Sequence, residues 1–132
     1  MSNVLLVDDD DDSRDAVARY IQKSGHVVRS ARNGREALIA VATLMPDVII
    51  LDAMMPEMNG LEFLQVIRSY LRWQRVPVVM LTAFDKGEHI DRAKEFGVAG
   101  ILLKANYRLP DLLMCIDMLS VDPGAKCGGG AA

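Results

Sequence analysis

The sequence predicts an α/β fold in which helices cover both faces of a five-stranded, doubly wound parallel sheet. Short apolar segments alternate five times with longer segments whose apolar residues recur at helical spacing. The apolar segments are continuous, as expected of strands that are buried on both faces. Strict alternation of strands and helices is typical of parallel sheets, so we expect one domain over residues 1–121.

The composition agrees with a single globular domain. Of 132 residues, 51% are hydrophobic and 25% are charged, which excludes disorder except near the ends. The 15 basic and 18 acidic residues give a net charge of −3, which argues against direct nucleic-acid contact. Apolar stretches such as residues 98–103 are far shorter than the ~18 residues of a membrane span. We therefore expect a cytoplasmic domain without membrane contact.

The first strand–helix unit is marked by an apolar run and by helix-end signals. A strand is predicted over residues 4–7 and a helix over residues 13–24. Asp12 or Ser13 can cap this helix, because a short polar side chain accepts a hydrogen bond from the first turn. Gly25 ends the helix, since it stands just past the last turn.

The second and third units repeat the pattern. A short strand is predicted over residues 27–31, and Asn33 is expected to cap a helix that Pro46 ends. A third buried strand covers residues 48–51. Apolar residues at helical spacing then predict a third helix, marked by Leu61, Leu64, Ile67 and Leu71.

The last two units complete the sheet. Strands are predicted over residues 78–81 and 100–103, and a helix with a thin apolar stripe over residues 85–96 that Gly97 stops. The fifth helix is marked by Leu109, Leu112, Leu113, Ile116 and Leu119. Beyond it, core residues give way to Pro, Gly and Ala, so residues 122–132 are predicted to be a flexible tail or a linker remnant.

Residues capable of chemistry follow four of the five predicted strands. They are Asp8 and Asp9 after the first strand, Asp52 after the third, Thr82 after the fourth and Lys104 after the fifth. In open α/β sheets, ligands bind outside the carboxyl ends of the strands. Strand ends are polar at any protein surface, but that explains poorly why four ends carry three carboxylates, a hydroxyl and an amine. We therefore expect these side chains to meet in one crevice.

The chemistry of such a crevice suits phosphoryl transfer. Three carboxylates that are held close together repel one another unless a cation joins them. Hard oxygen ligands suit Mg²⁺, and no His or Cys stands nearby to favour zinc. A carboxylate can also act as a nucleophile that forms an aspartyl-phosphate. Lys104 and the Thr82 hydroxyl are then available to bind the remaining phosphate oxygens.

Four motifs in this sequence resemble those of the response-regulator receiver family, in order and in spacing, over about residues 3–120. They are Val7-Asp8-Asp9, Leu51-Asp52 followed by Met55-Pro56-Glu57-Met58-Asn59-Gly60, Leu81-Thr82-Ala83 and Leu102-Leu103-Lys104. The resemblance implies a flavodoxin-like (βα)5 fold with strand order 2-1-3-4-5. It also implies a switch of two-component signalling that catalyses only its own phosphoryl transfer and dephosphorylation, not an enzyme with an external substrate.

The resemblance further implies a role for each site residue. Asp52 would be the phospho-acceptor, which takes its phosphoryl group from a sensor histidine kinase or a phosphotransfer protein. Thr82 would be the switch hydroxyl and Lys104 its charge partner, and Gly60 would allow the turn into the third helix. The downstream partner would be an effector or a covalently linked output domain, and the face of the fourth helix, fifth strand and fifth helix could form a homodimer. The ligands of Mg²⁺ would be Asp8, Asp9, Asp52 and the backbone carbonyl of Met54.

The sequence departs from the family at several positions. Ala105 stands where a proline usually follows the lysine, and Ile101 replaces the aromatic switch residue, so coupled threonine–aromatic motion cannot operate in its usual form. Met54 and Phe84 are apolar at two positions that tune self-dephosphorylation in the family. Since apolar side chains hinder a hydrolytic water, we predict a long-lived phosphoryl group.

Two other functions remain open from the sequence. A small phosphatase of the haloacid-dehalogenase type would carry a second aspartate two residues after its nucleophile, where this chain has Met54. An interaction module that is never phosphorylated would use the same fold only for docking. Ala105 and Ile101 are compatible with the docking module, whereas the acidic pocket argues against it.

The remaining polar residues are assigned to ordinary structure. Residues 10–12 are expected to be loop and helix-start charges, and His26 and His89 to be surface or edge residues. Cys115 is expected to be a small buried or half-buried side chain, and with Cys127 it does not make a disulfide scaffold.

Overall fold

The computed structural model describes residues 2–55, 58–83 and 86–127. Within these ranges strands and helices alternate along the chain. The strands are β1 (Asn3–Val7), β2 (Val27–Ala31), β3 (Val48–Asp52), β4 (Val78–Thr82) and β5 (Gly100–Leu103). The helices are α1 (Asp11–Lys23), α2 (Gly34–Thr43), α3 (Gly60–Arg68), α4 (Glu88–Glu95) and α5 (Leu109–Val121).

The five strands form one parallel sheet in the order β2-β1-β3-β4-β5. One row of paired residues crosses the whole sheet, through Ser30, Leu6, Ile50, Val79 and Gly100. The predicted fold class and strand order are confirmed. Since the chain leaves β1 toward β2 on one side and later returns to β3 on the other, the strand order reverses between β1 and β3, and ligand sites of open sheets form at such a reversal.

Alternate residues of each central strand enter two separate cores, which explains why the apolar runs are continuous. One core lies under α2, α3 and α4 and includes Leu5, Val7, Ile49, Leu51, Phe63 and Ile67. The other lies under α1 and α5 and includes Val4, Leu6, Ile50, Ile21, Ile116 and Leu119. Because both faces of the sheet are buried, most apolar residues of the chain lie in one of the two cores or pack against it.

Two helix starts show the capping chemistry that fixes them. The Asn33 side chain accepts a hydrogen bond from the Glu36 backbone N–H, which confirms the predicted cap of α2. At the start of α3, Asn59 and Glu62 form a reciprocal capping box. Both arrangements satisfy backbone N–H groups that have no partner within the helix.

The predicted cap of α1 by Asp12 or Ser13 is wrong, because the helix begins earlier, at Asp11. The Asp8 carboxylate accepts the Asp10 N–H (3.0 Å), so the chain turns into the helix directly after β1. Asp11 and Asp12 occupy the first turn, where negative charge is favourable next to the helix dipole.

Two helix boundaries also differ from the sequence pattern. Helix α3 ends at Arg68, before the predicted Leu71, which is 87% exposed. The Arg68 guanidinium donates to the carbonyls of Phe96 and Val76, so it ties the end of α3 to the chain beside it. Helix α4 begins at Glu88, and residue 85 of its predicted start lies outside the described residues.

The expectation of a flexible tail is corrected for residues 122–127. The Cys127 N–H donates to the Ala99 carbonyl (2.8 Å), and Lys126 Nζ donates to the Val98 carbonyl (3.1 Å). The Cys127 side chain is buried in the core under α5. Residues 122–127 therefore form a C-terminal segment that packs beside the start of β5. Residues 128–132 lie outside the described residues.

His26, expected to be a surface or edge residue, is buried and directly precedes the edge strand β2. Its Nδ1 accepts the Ser2 backbone N–H (3.0 Å), and its Nε2 lies 2.7 Å from an Asp117 carboxylate oxygen. The imidazole thus joins the N-terminus to α5. Cys115 is buried, as expected. No helix in the described part of the chain is both long and apolar enough to cross a membrane.

Candidate functional site

The carboxyl ends of β1 and β3 bring three carboxylates together at the reversal of strand order. One carboxylate oxygen from each of Asp8, Asp9 and Asp52 lies within 4.8 Å of the others. Asp8 and Asp52 are buried, whereas Asp9 is exposed. The acidic pocket, defined here as Asp8, Asp9 and Asp52, therefore has a protein wall on one side and access to solvent on the other.

The two carboxylate oxygens of Asp52 have different surroundings. Oδ1 lies 2.7 Å from Lys104 Nζ and accepts the Met54 N–H (3.1 Å). Oδ2 is buried and accepts no hydrogen bond from the described residues. A buried oxygen without a partner is costly, so this atom is the part of the pocket that is best suited to take a ligand.

Burial raises the pKa of Asp52 to about 6. The hydrogen bonds from Lys104 and from the Met54 N–H oppose this rise, and the neighbouring Asp8 adds to it. For Lys104, burial acts to lower the pKa, but the carboxylates of Asp52, Asp8 and Asp9 outweigh it, so the pKa is raised. The lysine therefore stays protonated at neutral pH, and three carboxylates face one ammonium group.

This donor set fits a divalent cation with oxygen ligands. Three carboxylates within 4.8 Å of one another carry more negative charge than Lys104 neutralises. The buried Oδ2 of Asp52 and the exposed carboxylate of Asp9 supply hard oxygen atoms, which Mg²⁺ prefers. Solvent access at Asp9 leaves space for the water molecules that Mg²⁺ usually retains.

Arg14 holds the connection between β1 and α1, a role that the sequence did not reveal. Its guanidinium donates to the Asp8 backbone carbonyl (2.8 Å) and lies 2.5 Å from the Asp11 carboxylate. With the Asp10 N–H on the Asp8 carboxylate, these bonds fix the backbone that carries Asp8 and Asp9. No motif marks an arginine at this position; only the folded loop brings it to the carbonyl.

Thr82 and Lys104 are positioned by the pairing of β4 with β5. Thr82 is fully buried at the end of β4, and its backbone carbonyl accepts the Lys104 N–H (2.8 Å). The Lys104 side chain is 40% exposed and extends to Asp52. The five side chains expected at the strand ends are thus brought to one edge of the sheet.

Tyr107 is a further neighbour of the pocket that sequence reasoning missed. Burial raises the pKa of its phenol, the Asp8 charge adds to this rise, and Lys104 opposes it. The phenol therefore lies within electrostatic range of both residues. Its backbone N–H donates to the Leu103 carbonyl (2.9 Å), so the turn after β5 folds back toward the pocket. The position of Tyr107, three residues after Lys104, is the one signal available in the sequence.

Gly60 is required because α3 begins directly against the end of β3. A Cβ atom at this position would lie 2.5 Å from the Asp52 carbonyl oxygen and 2.9 Å from Ala53 Cα. The Gly60 N–H donates to the Ala53 carbonyl (3.1 Å). The glycine thus permits a close approach of two backbone segments next to Asp52.

The positions that depart from the family pattern lie around this pocket. The peptide bond that precedes Ala105 is trans. Ile101 is half-buried and packs against the core under α2, α3 and α4. Met54 is 60% exposed beside Asp52. Phe84 lies outside the described residues, as do Pro56 and Glu57 of the quoted motif.

Comparisons with known proteins agree with this geometry. The family model of the response regulator receiver domain matches residues 4–116. The transcriptional regulatory protein CpxR homolog of Haemophilus influenzae is 41% identical over 110 residues, which are 83% of this chain and 44% of that protein. An uncharacterized 14.6 kDa protein of Leptolyngbya boryana is 32% identical over 102 residues, which are 77% of this chain and 78% of that protein.

A solved structure has the same fold over nearly its whole length. The chemotaxis protein CheY4 of Vibrio cholerae matches with a TM-score of 0.82 and 35% identity, covering 89% of this chain and 98% of that one. The chain therefore spans almost all of one relative and less than half of the CpxR homolog.

Proposed function

Because the chain belongs to the response regulator receiver family, we propose that Asp52 accepts a phosphoryl group and that the domain acts as a phosphorylation-dependent switch. The phosphodonor is a sensor histidine kinase or a phosphotransfer protein. The domain catalyses its own phosphorylation and dephosphorylation and turns over no external substrate. The readout is a downstream effector or a linked output domain, and the face of α4, β5 and α5 is the proposed homodimer surface.

The observation that carries the proposal is the unequal environment of the two Asp52 oxygens. Lys104 Nζ holds Oδ1, whereas the buried Oδ2 has no partner among the described residues. An oxygen that is desolvated and ionised is a good nucleophile toward phosphorus. In the proposed step, Oδ2 forms the new O–P bond while the bond from phosphorus to the donor breaks, and the leaving atom of the donor keeps that electron pair.

The residues around Asp52 account for the rest of the chemistry. Asp8, Asp9 and Asp52, with the backbone carbonyl of Met54, are the proposed ligands of Mg²⁺, which supplies charge neutralisation for the incoming phosphoryl oxygens. The ammonium of Lys104 leaves its ion pair with the carboxylate and contacts a phosphoryl oxygen. The Thr82 hydroxyl is the proposed donor to a second phosphoryl oxygen.

Phosphorylation acts as a local electrostatic event with a distant readout. The added group increases negative charge at a point where Lys104 and Thr82 lie next to each other at the ends of β5 and β4. Strand β5 is part of the surface formed by α4, β5 and α5, and β4 pairs with it. Movement of either residue toward the phosphoryl group therefore alters the surface that we propose for the partner.

Intact-mass measurement after incubation with acetyl phosphate tests the proposal. A single phosphoryl adduct is expected, dependent on Mg²⁺ and absent from Asp52→Asn. The matched control is Asp12→Asn, which removes an exposed carboxylate from the same acidic run and retains the adduct. Absence of an adduct in the wild-type chain would favour a docking module that is never phosphorylated. An adduct that persists in Asp52→Asn would place the phosphoryl group on another residue.

A further inference from the structure

The two cysteines of the chain meet in the core under α1 and α5. Cys115 on α5 and Cys127 in the C-terminal segment are both buried and both free. Both side chains belong to the same buried cluster, and each thiol shifts the pKa of the other. A single buried cysteine usually serves as a small apolar side chain, but two neighbouring cysteines can also react with each other.

The position of Cys127 depends on specific contacts with β5. Its backbone N–H donates to the Ala99 carbonyl (2.8 Å), and Lys126 Nζ donates to the Val98 carbonyl (3.1 Å). The Cys127 sulfur packs against the backbone of Gly100, where any side chain would collide with it. The glycine at the start of β5 thus provides the space in which the Cys127 sulfur is buried, in the same cluster as Cys115.

The proximity of the two thiols makes them chemically unequal. The interaction with Cys127 raises the pKa of Cys115, and the interaction with Cys115 lowers the pKa of Cys127. Since the thiolate is the reactive form, Cys127 is the better nucleophile of the pair. Cys127 also lies in the segment that is held to the sheet by few hydrogen bonds, whereas Cys115 is fixed within a helix.

We propose that Cys115 and Cys127 form a reversible disulfide that fastens the C-terminal segment to α5 beside β5. The oxidant is a low-molecular-weight disulfide. The Cys127 thiolate attacks one sulfur of the oxidant, so a mixed disulfide forms and one thiolate leaves. The Cys115 sulfur then attacks Cys127, and a second thiolate leaves. The two cysteines together lose two electrons, the oxidant gains them, and the two thiol protons end on the released thiols.

Burial of both thiols sets the order of events. The oxidant reaches Cys127 when the C-terminal segment detaches locally from β5, and redocking brings the activated sulfur back to Cys115. The disulfide then holds residues 122–127 in the docked position and fixes the direction in which the chain leaves the domain. The pair lies at the start of β5, roughly 13 Å along the strand from Lys104, so oxidation leaves the acidic pocket intact.

The test equilibrates the purified protein with reduced and oxidised glutathione, then blocks free thiols under denaturing conditions and measures the intact mass. The wild-type chain is expected to lose two hydrogens and to carry no blocked thiol. Limited trypsin cleavage after Lys126 then cuts the backbone, and residues 127–132 stay attached to Cys115 through the disulfide until a reductant is added. We expect the equilibrium constant for the disulfide to be at least about tenfold higher in the folded chain than in concentrated urea, because the fold holds the thiols together.

Three variants serve as controls. Cys115→Ser and Cys127→Ser are expected to form only mixed disulfides with glutathione. Gly100→Ala, with folding checked by circular dichroism, displaces the Cys127 sulfur and is expected to lower the folded-state equilibrium constant toward the value in urea. Two blocked thiols in the wild-type chain, a disulfide between two chains, or equal equilibrium constants in the folded chain and in urea would each overturn the proposal.

Discussion

The ammonium of Lys104 lies 2.7 Å from the carboxylate of Asp52, although their strands are not neighbours in the sheet. Strand β4 lies between β3 and β5, and its last residue is the fully buried Thr82. The ion pair therefore passes over the end of β4. Any group that draws Lys104 away from Asp52 must act beside Thr82, which couples these three residues in space.

Removing Lys104 should destabilise the domain. Lys104→Gln leaves the Asp52 charge buried without its cation, and we expect a loss of about 1–2 kcal/mol in the free energy of unfolding, discounted because the lysine is partly exposed. Urea denaturation at neutral pH in the presence of EDTA measures it. Lys86→Gln, at an exposed position, should cost under about 0.5 kcal/mol. Equal losses of stability in the two variants would show that the ion pair between Lys104 and Asp52 does not stabilise the folded chain.

Titration of Asp52 should make the free energy of unfolding depend on pH. Its pKa is about 6 in the folded chain and about 4 in the unfolded chain, so between these values the folded state binds more protons. Stability should therefore fall as the pH rises through that window, by at most about 3 kcal/mol. Asp52→Asn should lack this fall and be more stable than the wild-type chain near neutral pH in EDTA, by about 1–3 kcal/mol.

Urea denaturation at several pH values compares the wild-type chain with Asp52→Asn and with Asp12→Asn. The exposed Asp12 should leave the wild-type pH profile in place. A profile for Asp52→Asn that parallels the wild-type profile would show that another group causes the decline.

Mg²⁺ should stabilise the folded chain by binding to the acidic pocket. At a Mg²⁺ concentration of about 100 times Kd, binding contributes about 2.7 kcal/mol, so Tm should rise by roughly 5–10 °C. Asp9→Asn should abolish most of this rise, because Asp9 supplies the exposed carboxylate of the pocket. Thermal unfolding at constant ionic strength, with Asp12→Asn as the matched acidic control, separates a specific site from general screening.

Gly60→Ala should strain the junction between β3 and α3. The added Cβ would approach the Asp52 carbonyl oxygen to 2.5 Å, so the backbone must shift, and we expect a loss of about 2 kcal/mol in stability. Mg²⁺ affinity should fall as well, since the shift moves Asp52. Gly124→Ala is the control, because its Cβ would meet no atom closer than 3.6 Å. Unchanged stability of Gly60→Ala would show that α3 can move away at little cost.

The phosphoryl group should be long-lived because Met54 is apolar and lies next to Asp52. Its side chain is 60% exposed, and we expect it to hinder the attacking water on the open side of the pocket. Met54→Asn should shorten the lifetime of the phosphorylated chain several-fold by offering a polar group to the attacking water. Intact-mass decay after removal of acetyl phosphate measures both lifetimes. Equal lifetimes, or a faster decay in the wild-type chain, would refute this role for Met54.

The sequence predicts those parts of the molecule that depend on local pattern or on strand ends. Continuous apolar runs identify the buried strands, and the parallel arrangement then brings Asp8, Asp52 and Lys104 to one edge of the sheet. The resemblance supplied the strand order, which periodicity does not contain.

The rest depends on contacts between distant residues that no local pattern encodes. The bond from Arg14 to the Asp8 carbonyl and the approach of Tyr107 to the pocket arise from folded loops. The docking of Cys127 was missed because a segment rich in Pro, Gly and Ala has no periodicity, although its backbone pairs with Ala99. From composition alone, residues 122–127 are predicted to be a flexible tail.

The division of the core between two sheet faces has a consequence for synthesis of the chain on the ribosome. The face under α2, α3 and α4 draws on residues up to Val98, whereas the opposite face is closed by α5, through Leu112, Ile116 and Leu119. A nascent chain that has not yet exposed α5 thus carries an apolar sheet face with only α1 upon it. The domain becomes complete only when α5 has emerged, so its final folding step waits until that helix has left the ribosome.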